Sequence, residues 1–157
     1  MRGCLAIVMA VVLAACVAEA AETSWEFSEG QVVIKSGQFV RGTDSGLVAM
    51  PHVIEVGDSY YMYYWAKGSD GFNRIMQARC PVDKPTEWKV LGSVLERQAD
   101  KPYNNLGPSA PFVVVRDDGP WPMYFCAWGQ TDPKAAVKNR TVLAMSDDRG
   151  RTWKYYE

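Results

Sequence analysis

The sequence predicts an all-β fold in which a unit of about four strands occurs twice. From residue 22 onward, short runs rich in Val, Ile, Tyr, Phe and Trp are separated by Gly, Asp, Asn and Pro, and no long segment has a helical period. A hairpin block that begins at Pro51 has a counterpart that begins at Pro111, 60 positions later. Trp88 and Trp153 follow the third strand of each block, so a repeat of roughly 60 residues is indicated.

The predicted strands are separated by tight turns such as Gly57-Asp58 and Asp117-Asp118-Gly119, because Gly and Asp tolerate the positive φ that hairpins require. In chain order the strands are Val32 to Lys35, Met50 to Val56, Tyr60 to Ala66, Arg74 to Arg79, Val90 to Leu95, Phe112 to Arg116, Met123 to Trp128, Arg140 to Ser146 and Thr152 to Tyr156. About four strands per repeat is the size of a β-propeller blade, so we predict a partial β-propeller with about two blades present. A β-sandwich of unrelated hairpins is the alternative.

The first 20 residues are predicted to be a signal segment. Arg2 precedes roughly a dozen apolar residues, a run too short to span a hydrocarbon core of ~30 Å comfortably. A lipoprotein-type site would cut before Cys16, which would then carry the lipid, and an A-x-A site would cut after Ala20. Either site predicts export from a bacterium, as a periplasmic or outer-membrane lipoprotein or as a secreted protein, with membrane contact only through lipidated Cys16.

The rest of the chain divides into three predicted segments. Residues 21–48 form an N-terminal strand or linker, residues 49–107 the first blade, and residues 108–157 the second blade. Because two blades fall short of the four to eight that close a ring, we expect missing blades or an oligomer.

Charge and metal-ligand content exclude several functions. Lys and Arg number 17 against 18 Asp and Glu, without a basic run, so a nucleic-acid partner is not expected. Cys80 and Cys126 are the cysteines outside the signal segment, and both a pair of buried thiols and a bridge between them are open. With His52 as the one histidine, we predict neither a metal site nor a cofactor.

The second repeat ends in the pattern S-x-D-x-G-x-T-W, which is the Asp-box. Its fixed positions are Ser146, Asp148, Gly150, Thr152 and Trp153. We predict a hairpin turn in which Asp148 accepts hydrogen bonds from turn amides, Gly150 supplies positive φ and the Trp153 ring packs beneath. The predicted role is structural, on the rim away from the ligand face.

With the P-x-V-I, turn, Y-Y-M-Y-Y block, the chain resembles the five-bladed β-propeller glycoside hydrolases of families 43 and 32, and with the Asp-box it also resembles the six-bladed sialidases. The resemblance covers roughly residues 45 to 157. It implies cleavage of glycosidic bonds by carboxylates that face a central channel. Met50 and Phe112 stand where the family 43 pattern has Asp, and Ala49 stands where sialidases have Arg, so neither catalytic signature carries over.

The candidate catalytic residues are therefore other acids near the expected ligand face, Asp44 and Asp70, as base and acid. The candidate substrate-binding residues can stack on sugar rings or bond their polar groups, and they are His52, Trp65, Arg74, Tyr103, Asn104 and Trp128. The resemblance predicts an exported glycosyl-hydrolase or sialidase-like propeller that acts on an external oligosaccharide, polysaccharide or glycoconjugate. The alternatives are a non-catalytic carbohydrate-binding propeller and a propeller that serves protein contacts.

Overall fold

The computed structural model describes residues 30–35 and 47–156, and its strands form two four-stranded antiparallel sheets. The strands of the first sheet, in spatial order, are β1 (Leu47–Val56), β2 (Ser59–Lys67), β3 (Asn73–Pro81) and β4 (Lys89–Leu95). Those of the second sheet are β5 (Gly107–Val113), β6 (Trp121–Gly129), β7 (Lys138–Ser146) and β8 (Lys154–Tyr155). No helix occurs in these ranges, so the all-β prediction with two propeller blades is confirmed.

Several sequence predictions fall elsewhere. The signal segment, Cys16 and Asp44 lie outside the described residues. In the ranges 30–35 and 47–156, no helix is long and apolar enough to cross a membrane. Cys80 is a buried free thiol and Cys126 a partly exposed one.

Three strand predictions need correction. Residues 32–35 form no strand; Val33 and Ile34 instead pack on the first sheet. Strand β5 begins at Gly107 and ends at Val113, rather than running from Phe112 to Arg116, because Gly107 and Pro108 pair with the end of β6. Strand β8 has two residues, because the turn before it extends to Trp153.

The two sheets share an unusual backbone feature at the same position of the repeat. Met50 in β1 has φ 54° and Ala110 in β5 has φ 48°, and each precedes a proline. Both strands shift register there, between Ala49 and His52 and between Ser109 and Phe112. Positive φ is uncommon in residues other than glycine, so a matching pair of bulges supports the predicted repeat independently of residue type.

Register on either side of the bulges defines which residues are equivalent in the two sheets. Tyr63 lies opposite His52 and Tyr124 opposite Phe112, so the two tyrosines are equivalent. By the same pairing Trp65 is equivalent to Cys126, and Trp128 lies two positions further along its strand. Because side chains alternate along a strand, this offset leaves both indoles on the same face of their sheets.

The two faces of each sheet have different neighbours. In the first sheet, the face that carries Ile54, Tyr63 and Ile75 is the front face, and the face that carries Met62 and Tyr64 is the back face. The first front face packs in one buried cluster against residues of the second sheet, which are Val113, Trp121, Met123, Phe125, Ala127, Ala144 and Trp153. Met123 is equivalent to Met62, so these residues form the back face of the second sheet.

The blades therefore stack front to back, and the front face of the second sheet is open. Phe112 and Tyr124 on that face are 56% and 45% exposed. In the buried cluster, by contrast, Tyr63 and Phe125 are almost fully covered, and burial of a side chain of this size contributes about 1.5–3 kcal/mol.

A hydrogen-bonded knot at the turn between β7 and β8 joins the sheets. The Gly150 carbonyl accepts hydrogen bonds from the Tyr63 hydroxyl at 2.8 Å, from Gln77 Nε2 at 2.7 Å and from Trp153 Nε1 at 3.2 Å. Burial raises the pKa of Tyr63, which keeps its hydroxyl protonated as a donor. Tyr63 and Gln77 belong to the first sheet, so the backbone of this turn is bonded across the interface between blades.

Candidate functional site

The candidate residues gather at one end of the two sheets, which we call the loop end. It carries the loop 68–72 after β2, the linker 96–106 between the sheets, and the loop 130–137 after β6. The opposite end, called the turn end, carries the connections 57–58, 82–88, 114–120 and 147–153. The S-x-D-x-G-x-T-W residues thus lie at the turn end, away from the loop end.

At the turn end, Asp148 organises the turn through several hydrogen bonds. Its Oδ1 accepts the backbone N–H groups of Arg151 at 3.0 Å and Thr152 at 2.8 Å, and its Oδ2 accepts the Thr152 hydroxyl at 2.7 Å. The Ser146 hydroxyl donates to Oδ1 at 2.8 Å and accepts the Gly150 N–H at 2.8 Å. Although desolvation opposes it, hydrogen bonding to the charged form dominates and holds the pKa of Asp148 at about 2.

At the loop end, Asp70 and Arg74 bind each other. Arg74 Nη1 and Nη2 donate to the two oxygens of Asp70 at 2.9 and 2.5 Å, and Arg74 Nε contacts Glu96 at 2.9 Å. Asp70 Oδ1 also accepts the Phe72 N–H at 3.1 Å. The Arg74 side chain is 12% exposed and ties the loop 68–72 to the start of the linker.

This arrangement constrains the chemistry of Asp70. The hydrogen bonds from Arg74 are the largest cause that lowers the pKa of Asp70, to about 2. A carboxyl group that stays ionised at neutral pH has no proton to donate to a leaving oxygen. Arg74, with carboxylates on two sides, is a bridge within the fold. A catalytic role for Asp70 with Asp44 stays a prediction.

His52 lies at the junction of β1 and β5. Its Nδ1 accepts the backbone N–H of Val113 at 3.0 Å, and its ring stacks on Phe112 with centroids 4.6 Å apart. Desolvation lowers the pKa of His52, which favours the neutral ring that can accept this bond. The contacts that His52 makes here connect the two sheets.

The linker holds Tyr103 and Asn104. Asn104 is fully buried, and its Nδ2 donates to Tyr155 Oη at 2.9 Å and to Gln98 Oε1 at 3.3 Å. These contacts make Asn104 a support of the linker. Tyr103 is partly buried and lines a separate cavity beside β7.

An apolar pocket of about 230 Å³ brings Trp65 and Trp128 together at the loop end. Its described lining consists of Met50, Trp65, Asn73, Ser109 and Trp128. Trp128 Nε1 donates to Ser109 Oγ at 2.6 Å. Trp65 Nε1 is buried and has no hydrogen-bond partner in the described part of the chain, since Ala49, directly opposite in β1, offers no side-chain acceptor.

The pocket combines two indole rings with the polar groups of an amide and a hydroxyl. Flat rings contact the apolar faces of sugars, and a buried donor without a partner costs free energy that a ligand acceptor would recover. The described lining contains no carboxylate, and the described residues contain no cluster of three potential metal ligands. Sequence reasoning identified the two tryptophans but missed Asn73 and Ser109, which only strand register brings beside them.

The two blades define an all-β protein with a glycoside-hydrolase-like fold, as comparison with solved structures shows. A candidate glycoside hydrolase from Bacteroides ovatus ATCC 8483 matches with a TM-score of 0.57 and 22% identity over 72% of this chain and 30% of that one. A glycosyl hydrolase from Bacteroides ovatus matches with 0.58 and 19% over 72% and 32%. A structure described as a BT0996 RGII complex matches with 0.53 and 20% over 69% and 36%.

These likenesses concern the fold. The chain spans about a third of the length of each of these structures. No family model matches the sequence, and no curated protein matches it.

Proposed function

We propose that this chain is part of an exported glycoside-hydrolase-like β-propeller, and that the apolar pocket at its loop end binds a saccharide. The observation that carries the proposal is the pair of indoles, Trp65 and Trp128, beside Asn73 and Ser109 in one pocket. A sugar ring would stack on an indole while its hydroxyl groups bond the amide, the serine and the free Trp65 Nε1. The fold of the solved neighbours supports the same ligand class.

Titration of the full chain with a panel of oligosaccharides tests the proposal, with calorimetry as the readout. Trp65→Ala and Trp128→Ala should each weaken binding about tenfold, equivalent to about 1.4 kcal/mol. Tyr156→Ala is the control, because Tyr156 is an aromatic residue that is 66% exposed and does not belong to the described pocket lining. Equal affinity of both tryptophan variants and wild type, with unchanged circular dichroism, would place the ligand elsewhere.

Hydrolysis of glycosidic bonds is a second candidate, favoured by two neighbours that are described as hydrolases. Release of a chromophore from aryl glycosides by the wild-type chain, lost in both Asp44→Asn and Asp70→Asn, would support it. Turnover that survives both substitutions would exclude this pair as the acid and base.

Export is the third component of the proposal, and intact-mass analysis after expression in a bacterium tests it. A lipid-modified chain that starts at Cys16 supports the lipoprotein route, and an unmodified chain that starts at Ala21 supports ordinary secretion. A product that keeps the residues before Cys16 would contradict export.

A further inference from the structure

A second cavity at the loop end, of about 480 Å³, has a different chemical character. Tyr103 from the linker, Gln130 and Thr131 from the loop 130–137, and Lys138 and Arg140 from β7 line it. Its volume falls within the range of small-ligand sites, and its lining offers cations, hydrogen-bonding groups and one aromatic ring.

The two cations lie on the same face of β7, because they are two positions apart in one strand. Both are exposed, and neither makes an ion pair or a side-chain hydrogen bond in the described part of the chain. The acid of the neighbouring loop, Asp132, accepts the Lys134 N–H at 2.7 Å and does not belong to the described lining. Positive charge in this cavity is therefore uncompensated by the described residues.

The repeat shows what an arginine at this position binds. Arg74 lies opposite Ala66 in the first sheet, and Arg140 lies opposite Ala127 in the second, at the equivalent position. In the first sheet this guanidinium is held by the carboxylates of Asp70 and Glu96. The second sheet presents the same guanidinium to a cavity, where the described lining supplies no carboxylate.

We propose that this cavity binds the carboxylate of an acidic saccharide such as a uronic acid. Arg140 takes the carboxylate through two of its N–H groups, as Arg74 takes Asp70, and Lys138 adds a second charge. The Tyr103 ring offers a surface for the sugar, and the Gln130 and Thr131 side chains are within the lining for its hydroxyl groups. The inference rests on the proposed function, since it specifies the charge of the saccharide that the loop end binds.

The test compares two ligands that differ in charge, an oligogalacturonide and its methyl ester, by calorimetry on the full chain. Wild type should bind the acid about tenfold more tightly than the ester, and added salt should reduce this preference. Arg140→Gln and Lys138→Gln should remove the preference while binding of the ester is kept. Arg151→Gln is the control, because Arg151 is an exposed cation at the turn end.

Each outcome assigns the failure to one proposal. Equal affinity for acid and ester, or a preference that persists in Arg140→Gln, would overturn the carboxylate site alone. Loss of neither ligand in Trp65→Ala and Trp128→Ala would overturn the apolar pocket alone, and absence of binding by either ligand would overturn both. A sulfated neutral oligosaccharide that binds as tightly as the uronide would show an anion site without carboxylate preference. A change in molecular mass in Arg140→Gln would assign the arginine to a protein carboxylate instead.

Discussion

Replacement of Gly150 by alanine tests how the two blades are held together. Gly150 has φ +83°, and a Cβ there would lie 2.2 Å from the Tyr63 hydroxyl and 3.4 Å from two atoms of the Trp121 ring. The same residue supplies the carbonyl that accepts the Tyr63, Gln77 and Trp153 donors. The methyl group therefore adds strain to the turn and displaces a buried hydroxyl from its acceptor.

Gly71 provides a matched control for the backbone strain. It also has φ +83°, but a Cβ there would meet nothing within 4 Å. A left-handed conformation costs a residue with a side chain about 1–2 kcal/mol. A buried hydroxyl that loses its hydrogen bond costs about 1–3 kcal/mol more. We expect Gly71→Ala to lower the free energy of unfolding by about 1 kcal/mol and Gly150→Ala to lower it by about 2–4 kcal/mol.

Urea unfolding followed by tryptophan fluorescence measures both losses. The double variant Gly150→Ala with Tyr63→Phe adds a sharper readout, because deletion of the hydroxyl removes the atom that the new methyl meets. Tyr63→Phe alone should cost about 1 kcal/mol, and the double variant should be more stable than the two single losses add up to, by about 1 kcal/mol or more. Equal destabilisation by Gly71→Ala and Gly150→Ala, or strict additivity, would refute the argument that close approach across the interface requires this glycine.

Three further predictions concern the open face, the histidine and the turn aspartate. The exposed front face of the second sheet should make the chain associate with rising concentration, and Tyr124→Asp should reduce the mass seen by light scattering; a wild type that stays monomeric at high concentration would count against it. Because the folded His52 has a lowered pKa, the unfolded chain binds a proton first, so the free energy of unfolding should fall as pH drops below 6.5 and less so in His52→Gln; parallel pH profiles in urea titrations would contradict this. Asp148 has a folded pKa of about 2, so its contribution should be present above pH 4 and lost between about pH 4 and 2, and Asp148→Asn should flatten thermal melts across that window; an unchanged acid limb would contradict it.

The strands could be predicted from sequence wherever they consist of apolar or β-branched runs, as in β2 and β6. Strand β5 begins earlier than predicted because Gly107 and Pro108 have low strand propensity, and pairing with Trp128 and Ala127 overrides it. The segment 32–35 has the composition of a strand, but a strand also requires a neighbour with a free edge, which composition does not specify.

The candidate site was predictable in composition and not in geometry. Asp70 and Arg74 are both candidates from sequence, yet a loop sequence does not reveal that the two side chains point at each other. Ser109 reaches the pocket because the bulge at Ala110 shifts the register of β5, and that shift depends on a backbone angle rather than on a residue type. Arg140 becomes a candidate only when strand register matches its position with that of Arg74.

The front-to-back stacking has a consequence for how such a chain can grow by gene duplication. Every sheet presents one kind of surface and accepts the other, so a copied segment that runs from one linker to the next would arrive with both surfaces already matched to its neighbours. A copy that began inside a hairpin would split a sheet and expose its hydrogen-bonding edges. The linker 96–106 is therefore the natural junction for inserting, exchanging or permuting a unit, and the number of units in a lineage can change without the invention of a new interface.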